Sequence, residues 1–258
     1  MNRTVSRQNA AWERRLAEQH FANVAPRYEA LRETDDDAIV LIGDRLPDRP
    51  LVGADIGAGT GRYTELLRKE VPDGTTIIAV DLSHEMLRAL TRETYDSPPV
   101  VRCETERLPL RTGALDFVTT FNAIHHFDLD AFVDEMARVL RDDGQLFVYT
   151  RTPEQNAQSI WGQAFPGFLA HEQRLHSEGT LRSVLGRLGA VESRSFRFPR
   201  RATATRLAER VRGGGYSTFS LYDPSMLEDA LQAFLTHVDG HEVEWHDENL
   251  LVHVRRPG

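Results

Sequence analysis

Asp55-Ile56-Gly57-Ala58-Gly59-Thr60-Gly61 is the stretch that decides the fold of this chain. The apolar run that leads into it, Leu51 to Ile56, reads as a short buried strand. The pattern that follows, Thr60 to Glu70, reads as a helix. Glycines at such a junction permit a tight turn and let the backbone approach a ligand closely. The next strand, Thr76 to Val80, ends in Asp81, which stands 20 residues after Gly61. A carboxylate there can accept hydrogen bonds from both hydroxyls of a ribose. A dinucleotide site asks for G-x-G-x-x-G, and its third glycine would fall on Arg62. This chain has G-x-G-x-G, with Asp55 two residues before the first glycine. A pyrophosphate is repelled by that acid, whereas a ligand with an ammonium group and a ribose diol is suited to it.

Outward from this unit the rhythm repeats. A helix is expected over Ser83 to Thr94, with Ser83 as its N-cap. Strands follow at Val100 to Cys103 and Leu115 to Phe121. A helix from Leu129 to Leu140 is closed by Asp142-Asp143-Gly144, and a strand from Gln145 to Thr150 comes next. Alternating apolar strands and helices predict an α/β fold, a Rossmann-like, mostly parallel sheet of seven strands with helices on both faces. Before the unit, residues 8–33 read as mostly helix on the spacing of Trp12, Leu16, His20 and Val24, which Tyr28 continues. Asp35-Asp36-Asp37 opens a further helix. After Arg151 the pattern loosens, with a helix at Glu178 to Leu188, a strand at Val191 to Phe198 and a last strand within His241 to Val254. The division expected is an N-terminal helical cap over 1–50, a cofactor-binding core over 51–150 and a C-terminal part over 151–258. That last part would supply the final strands as an antiparallel edge, with substrate-lid insertions at about 153–177 and 200–240.

Four motifs together resemble a class I S-adenosylmethionine-dependent methyltransferase, in the style of the type 11 enzymes of ubiquinone and menaquinone biosynthesis. They are Asp55 to Gly61; Val80-Asp81-Leu82-Ser83-His84-Glu85-Met86-Leu87; Cys103-Glu104-Thr105-Glu106-Arg107-Leu108-Pro109; and Leu115-Asp116-Phe117-Val118 through Asn122-Ala123-Ile124-His125-His126-Phe127, followed by Arg138 to Gly144. The likeness covers roughly residues 20–150. It implies S-adenosylmethionine as cofactor, with S-adenosylhomocysteine as product. Its implied contacts are Tyr28 from the N-terminal segment, Asp55, Gly57, Ala58, Gly59 and Gly61 on the methionine part, Asp81, Leu82 and Met86 around the ribose, Glu104 and Thr105 at the adenine, and Asn122 and Ala123 beside the transferred methyl. The family usually has Asp-Ala-Glu at the third motif, where Glu104 is one methylene longer. It usually ends the fourth in Leu-Lys-Pro-Gly-Gly, where this chain has Asp142 and Asp143.

The function expected is methyl transfer to a small molecule, a metabolite or natural product, driven mainly by in-line positioning. His125 and His126 are the candidate general bases. Trp161 and Phe165 can stack on an acceptor, and Tyr216 and Tyr222 can donate to one. Glu172, Arg174 and His176 are further polar candidates, as are Arg200, Arg201, Arg206, Arg210 and Arg212 for an anionic group.

Composition narrows the alternatives. The net charge of -8 argues against a general nucleic-acid binder. Residues 194–212 nevertheless carry seven arginines, which leaves an RNA methyltransferase as one alternative. A cofactor-binding protein without transfer activity is a second alternative, and a nicotinamide-dependent oxidoreductase, disfavoured by Arg62, is a third. The single cysteine, Cys103, excludes an internal disulfide and argues against a cysteine-based zinc site. His237 and His241 have H-x-x-x-H spacing, but Asp239-Gly240 between them breaks the helix, so no metal is expected. No apolar run suffices to span a membrane, and Met1 to Arg15 lacks the apolar core of a secretory signal. The expectation is a cytoplasmic monomer or homodimer.

Overall fold

The computed structural model describes residues 24–25, 35–92, 97–238 and 242–258. Tyr28, most of the expected N-terminal cap and His241 lie outside the described residues. Helix α1 (Asp37–Arg45) precedes strand β1 (Val52–Ile56), α2 (Arg62–Glu70), β2 (Thr76–Asp81), α3 (His84–Arg92), β3 (Val100–Arg102), β4 (Leu115–Phe121), α4 (Leu129–Val139) and β5 (Leu140–Thr150). Three short helices follow, α5 (Pro153–Gln158), α6 (Ile160–Ala164) and α7 (Phe168–His171). Then come α8 (Glu178–Leu185), β6 (Ala190–Thr203), α9 (Ala204–Arg212), α10 (Pro224–His237) and β7 (Glu242–Arg255).

The seven strands form one sheet in the order β3-β2-β1-β4-β5-β7-β6. The first five are parallel. Strand β7 runs antiparallel to both β5 and β6, which gives the sheet its antiparallel edge. The order reverses between β1 and β4, and ligands of open α/β sheets lie beyond the carboxyl ends of the strands at such a reversal.

The pleat sends neighbouring side chains to opposite faces. Val118, Val148 and Leu250 join one buried cluster with Phe132, Met136 and Leu185. Phe117, Phe147 and Leu251 join another with Ile39, Ile42 and Leu67. All seven residues of β4 are buried, as the central strand of a doubly covered sheet must be. Among the described residues no helix is long and apolar enough to cross a membrane.

Two expectations need correction. The helix expected to reach Leu140 stops at Val139, because Leu140 already pairs with Leu115 of β4. The strand expected to end at Phe198 runs on to Thr203. Its register with β7 is unbroken from Ala190↔Arg255 to Thr203↔Glu242, and Pro199 is tolerated because β6 is an edge strand. Strand β5 pairs with β7 only as far as Leu250, so the outer half of this ribbon projects beyond the sheet.

The projecting ribbon carries a third core. Trp161 and Phe165 from the first expected insertion pack on Phe219 and Phe234 from the second. Trp161 meets the Phe219 and Phe234 rings with centroids 5.2 and 5.3 Å away. The two segments read as separate insertions therefore close on a single apolar centre.

Candidate functional site

Local backbone geometry builds the glycine loop. Gly57, Gly59 and Gly61 all have positive φ, at 73°, 58° and 86°. The N–H groups of Gly57 and Ala58 donate to Val80 O at 2.8 and 3.0 Å, fastening the loop to the end of β2. A Cβ at Gly57 would stand 2.6 Å from that of Ala123, and one at Gly61 would stand 2.6 Å from Leu90 Cγ. A Cβ at Gly59 meets nothing within 4 Å among the described residues. Protein therefore closes two of the three glycines, while Gly59 faces open space.

Asp81 orders this edge. Its Oδ2 accepts from the Gly59 N–H at 2.8 Å and its Oδ1 from the Ser83 N–H at 2.8 Å. Ser83 Oγ accepts from the Met86 N–H at 3.3 Å, so Ser83 caps α3 as expected.

Asp55 differs from its expected place. It is buried, and its carboxylate accepts from Thr64 Oγ1 at 2.6 Å and from Thr119 Oγ1 at 3.1 Å. It ties β1 to α2 and β4. Burial, set against those two hydroxyls and reinforced by nearby Asp81, raises its pKa to about 6. Leu82 is partly exposed, Met86 is buried, Glu104 is exposed and Thr105 is buried.

Beside this region a polar cavity of about 780 Å³, its open mouth included, lies past the ends of β4 and β5. Asn122 and His125 line it from the loop after β4, and Thr150 and Arg151 from the end of β5. Tyr63 enters from α2, its ring stacked on Phe121 with centroids 4.5 Å apart. Asn156, Glu172, Tyr216 and Thr218 come from the segments that bear the aromatic core, and Arg200, Asp247 and Asn249 from the projecting ribbon. Asn122 has φ 53°, a conformation rare outside glycine, and its N–H donates to Tyr149 O at 2.7 Å. Ala123 beside it is buried.

Of the residues expected to touch an acceptor or its proton, His125, Glu172, Arg200, Arg210 and Tyr216 line this cavity, together with Asn122, expected beside the cofactor. Trp161 and Phe165 do not. They are 1% and 3% exposed because they fill the aromatic core beneath the cavity. Tyr222 is also turned away, its hydroxyl donating to Pro166 O at 2.9 Å and its ring stacked on His171. The His126 ring leans on His125 with centroids 4.1 Å apart and is not part of the lining.

Tyr63, Arg151, Asp247 and Asn249 escaped the sequence reading. Asp35, read as a helix start, is buried, and its Oδ2 accepts from Tyr149 Oη and Asn249 Nδ2, each at 2.9 Å. Glu172 accepts from Arg174 Nε at 2.9 Å and from Thr218 Oγ1 at 2.6 Å. These bonds, against the cost of burial, hold its pKa below the ordinary carboxylate value.

Residues 54–148 match the family model described as a methyltransferase domain. The chain carries a methyltransferase domain over these residues. A malonyl-[acyl-carrier protein] O-methyltransferase of Laribacter hongkongensis is 32% identical over 154 residues, 52% of each chain. A mouse tRNA (carboxymethyluridine) methyltransferase is 27% identical over 148 residues, 55% of this chain and 21% of that protein. The chain thus spans about half the length, or less, of these curated relatives. Among solved structures, one described as a methyltransferase from an antibiotic biosynthesis pathway of Anabaena variabilis superposes with a TM-score of 0.68. It is 23% identical and covers 87% of this chain and 98% of its own, a likeness of fold.

Proposed function

We propose that this methyltransferase domain moves the methyl group of S-adenosylmethionine to a small molecule held in the polar cavity. The observation that carries the reading is the bond between Gly59 and Asp81, with Gly59 facing open space. That cradle fits a nucleoside with a ribose diol and no phosphate. Asp81 would accept from the diol, the glycine loop would let the methionine part lie against backbone, Glu104 and Thr105 would border the adenine, and Asn122 and Ala123 would border the sulfur. S-adenosylmethionine supplies a methyl group already activated on a sulfonium. The protein therefore has to align an acceptor lone pair with it and keep water out.

His125 is the candidate to take a proton, at an imidazole nitrogen, from an acceptor hydroxyl or amine that must lose one. Its place in the cavity wall favours it over His126. The two segments around Trp161 and Phe219 would act together as a lid.

An RNA acceptor gains support from the tRNA-modifying relative and from the arginine-rich segment. Three exposed arginines of that segment are, however, paired with carboxylates in place. Arg201 pairs with Glu242 at 3.2 Å, Arg206 with Glu209 at 3.0 Å and Arg212 with Glu228 at 2.7 Å. Paired guanidiniums make a poor track for phosphates, and this favours the small molecule.

Calorimetry with S-adenosylmethionine, S-adenosylhomocysteine and NAD tests the cofactor. Micromolar binding of both adenosyl ligands, weakened at least about tenfold in Asp81→Ala, is expected. Tighter binding of NAD would remove the reading.

A further inference from the structure

Arg151 stands directly after the last residue of β5, with its side chain 11% exposed in the cavity wall. Its Nε donates to Asn249 Oδ1 at 3.3 Å and its Nη2 lies 3.2 Å from Asp247 Oδ1. Its Nη1 is buried and has no hydrogen-bond partner among the described residues.

The groups behind Arg151 are already committed. Asp247 also accepts from Trp245 Nε1 at 3.2 Å and from Arg200 Nε at 3.4 Å. Arg200 reaches on to Asp35, and the Asn249 amide donates to both Asp35 and Tyr149. None of these groups accepts from Nη1. Burial opposes the charge on Arg151, but Asp247, Tyr216 and Tyr149 together outweigh it and keep the group cationic.

A guanidinium has five N–H donors and cannot neutralise itself to escape the interior. Folded proteins leave few buried donors unanswered, and a charged one is the costliest to leave so. The wall holds three arginines and three carboxylates. It is therefore no general cation surface.

We propose that the methyl acceptor carries an oxyanion, a carboxylate or a phosphate monoester, and that Arg151 Nη1 binds it. The proposal rests on the methyltransferase reading for calling the ligand an acceptor. The oxyanion supplies the missing acceptor for Nη1, and the planar guanidinium sets its orientation. Tyr63 and Tyr216, on the same wall, would flank the body of the molecule.

Benzoate, phenyl phosphate and the neutral isostere benzamide are the probes, titrated calorimetrically into the full chain with and without saturating S-adenosylhomocysteine. At least one anion should bind about tenfold or more tighter than benzamide. Benzoate ahead of phenyl phosphate would mark a carboxylate acceptor, and the reverse order a phosphate. Arg151→Met should erase the preference and leave affinity for S-adenosylhomocysteine unchanged. The wild-type comparison needs no variant, so misfolding of Arg151→Met would not spoil the test. Equal affinity for all three probes, or no binding of any, would overturn the proposal. Failure of S-adenosylhomocysteine to bind would instead overturn the methyltransferase reading, whatever the anions do.

Discussion

The Gly59 N–H and Asp81 Oδ2 are joined across 2.8 Å, which links the loop after β1 to the end of β2. The bond carries consequences in both directions. It holds the loop open at the one glycine that protein does not cover, and it fixes the rotamer of the acid that faces the same space.

Gly59→Ala separates these roles. The residue sits at φ 58°, where an added Cβ costs about 1 kcal/mol of stability. That Cβ would touch no atom of the described residues, so urea unfolding should register the strain alone. On the proposed reading, S-adenosylhomocysteine affinity should fall further, by at least about tenfold, because the new methyl would enter the space proposed for the ligand. Wild-type affinity in this variant would place the ligand elsewhere.

This part of the site was legible because its signal is local. Three glycines, an acid and two apolar strands lie within 31 residues, from Leu51 to Asp81, and each has a conformational reason to be there. The cavity has no such signal. Arg151 meets Asn249 across 98 residues, and Asp35 meets Arg200 across 165. No spacing rule connects such positions. The aromatic run misled for a different reason. A ring that stacks on a ligand and a ring that fills a lid core have the same apolar character, and only packing distinguishes Trp161 from Tyr63.

Asp55 predicts an unusual pH response. Its pKa rises from 3.8 to about 6 on folding, chiefly through burial. The folded state therefore holds this proton more tightly than the unfolded chain. The resulting stability is full below pH 3.8 and is lost as pH rises through about 6. The linkage amounts to roughly 3 kcal/mol over that window. Asp55→Asn should remove it. Wild-type stability measured relative to the variant by urea unfolding should decline between about pH 4 and pH 7. A difference that stays flat would show that Thr64 and Thr119 compensate fully for burial.

His253 works in the opposite sense. Partial burial, with Arg45 nearby, lowers its pKa from 6.5 to about 4. Its Nε2 lies 2.7 Å from Gln145 Oε1, and its ring stacks on Phe147 at 4.5 Å. The folded state holds the imidazole neutral, so the stability it contributes is present above pH 6.5 and is lost as pH falls towards 4. Discounted for solvent exposure, the effect is about 1–2 kcal/mol. His253→Gln keeps a donor for Gln145 and removes the titration. Acid unfolding of the variant should begin at lower pH than that of the wild type, and unchanged acid sensitivity would refute the assignment.

Gly53 and Phe117 form a tighter constraint than the ligand loop does. They are register partners on adjacent strands, and a Cβ on Gly53 would fall 2.2 Å from Phe117 Cζ. Phe117 is fully buried among the α1 and α2 contacts and has no open side to move into. Gly53→Ala should therefore cost about 1–3 kcal/mol by overpacking, despite the normal preference for alanine over glycine in a strand. Phe117→Leu alone should cost about 1–2 kcal/mol through the lost ring volume. The double variant should be more stable than the sum of the two costs implies, by at least about 0.5 kcal/mol, because the smaller side chain vacates the space that the new Cβ needs. Strict additivity in urea unfolding would mean that the sheet yields at Gly53 and the Phe117 ring does not. In that case β1 would shift, and S-adenosylhomocysteine affinity in Gly53→Ala should fall with it, because the glycine loop hangs from the end of that strand.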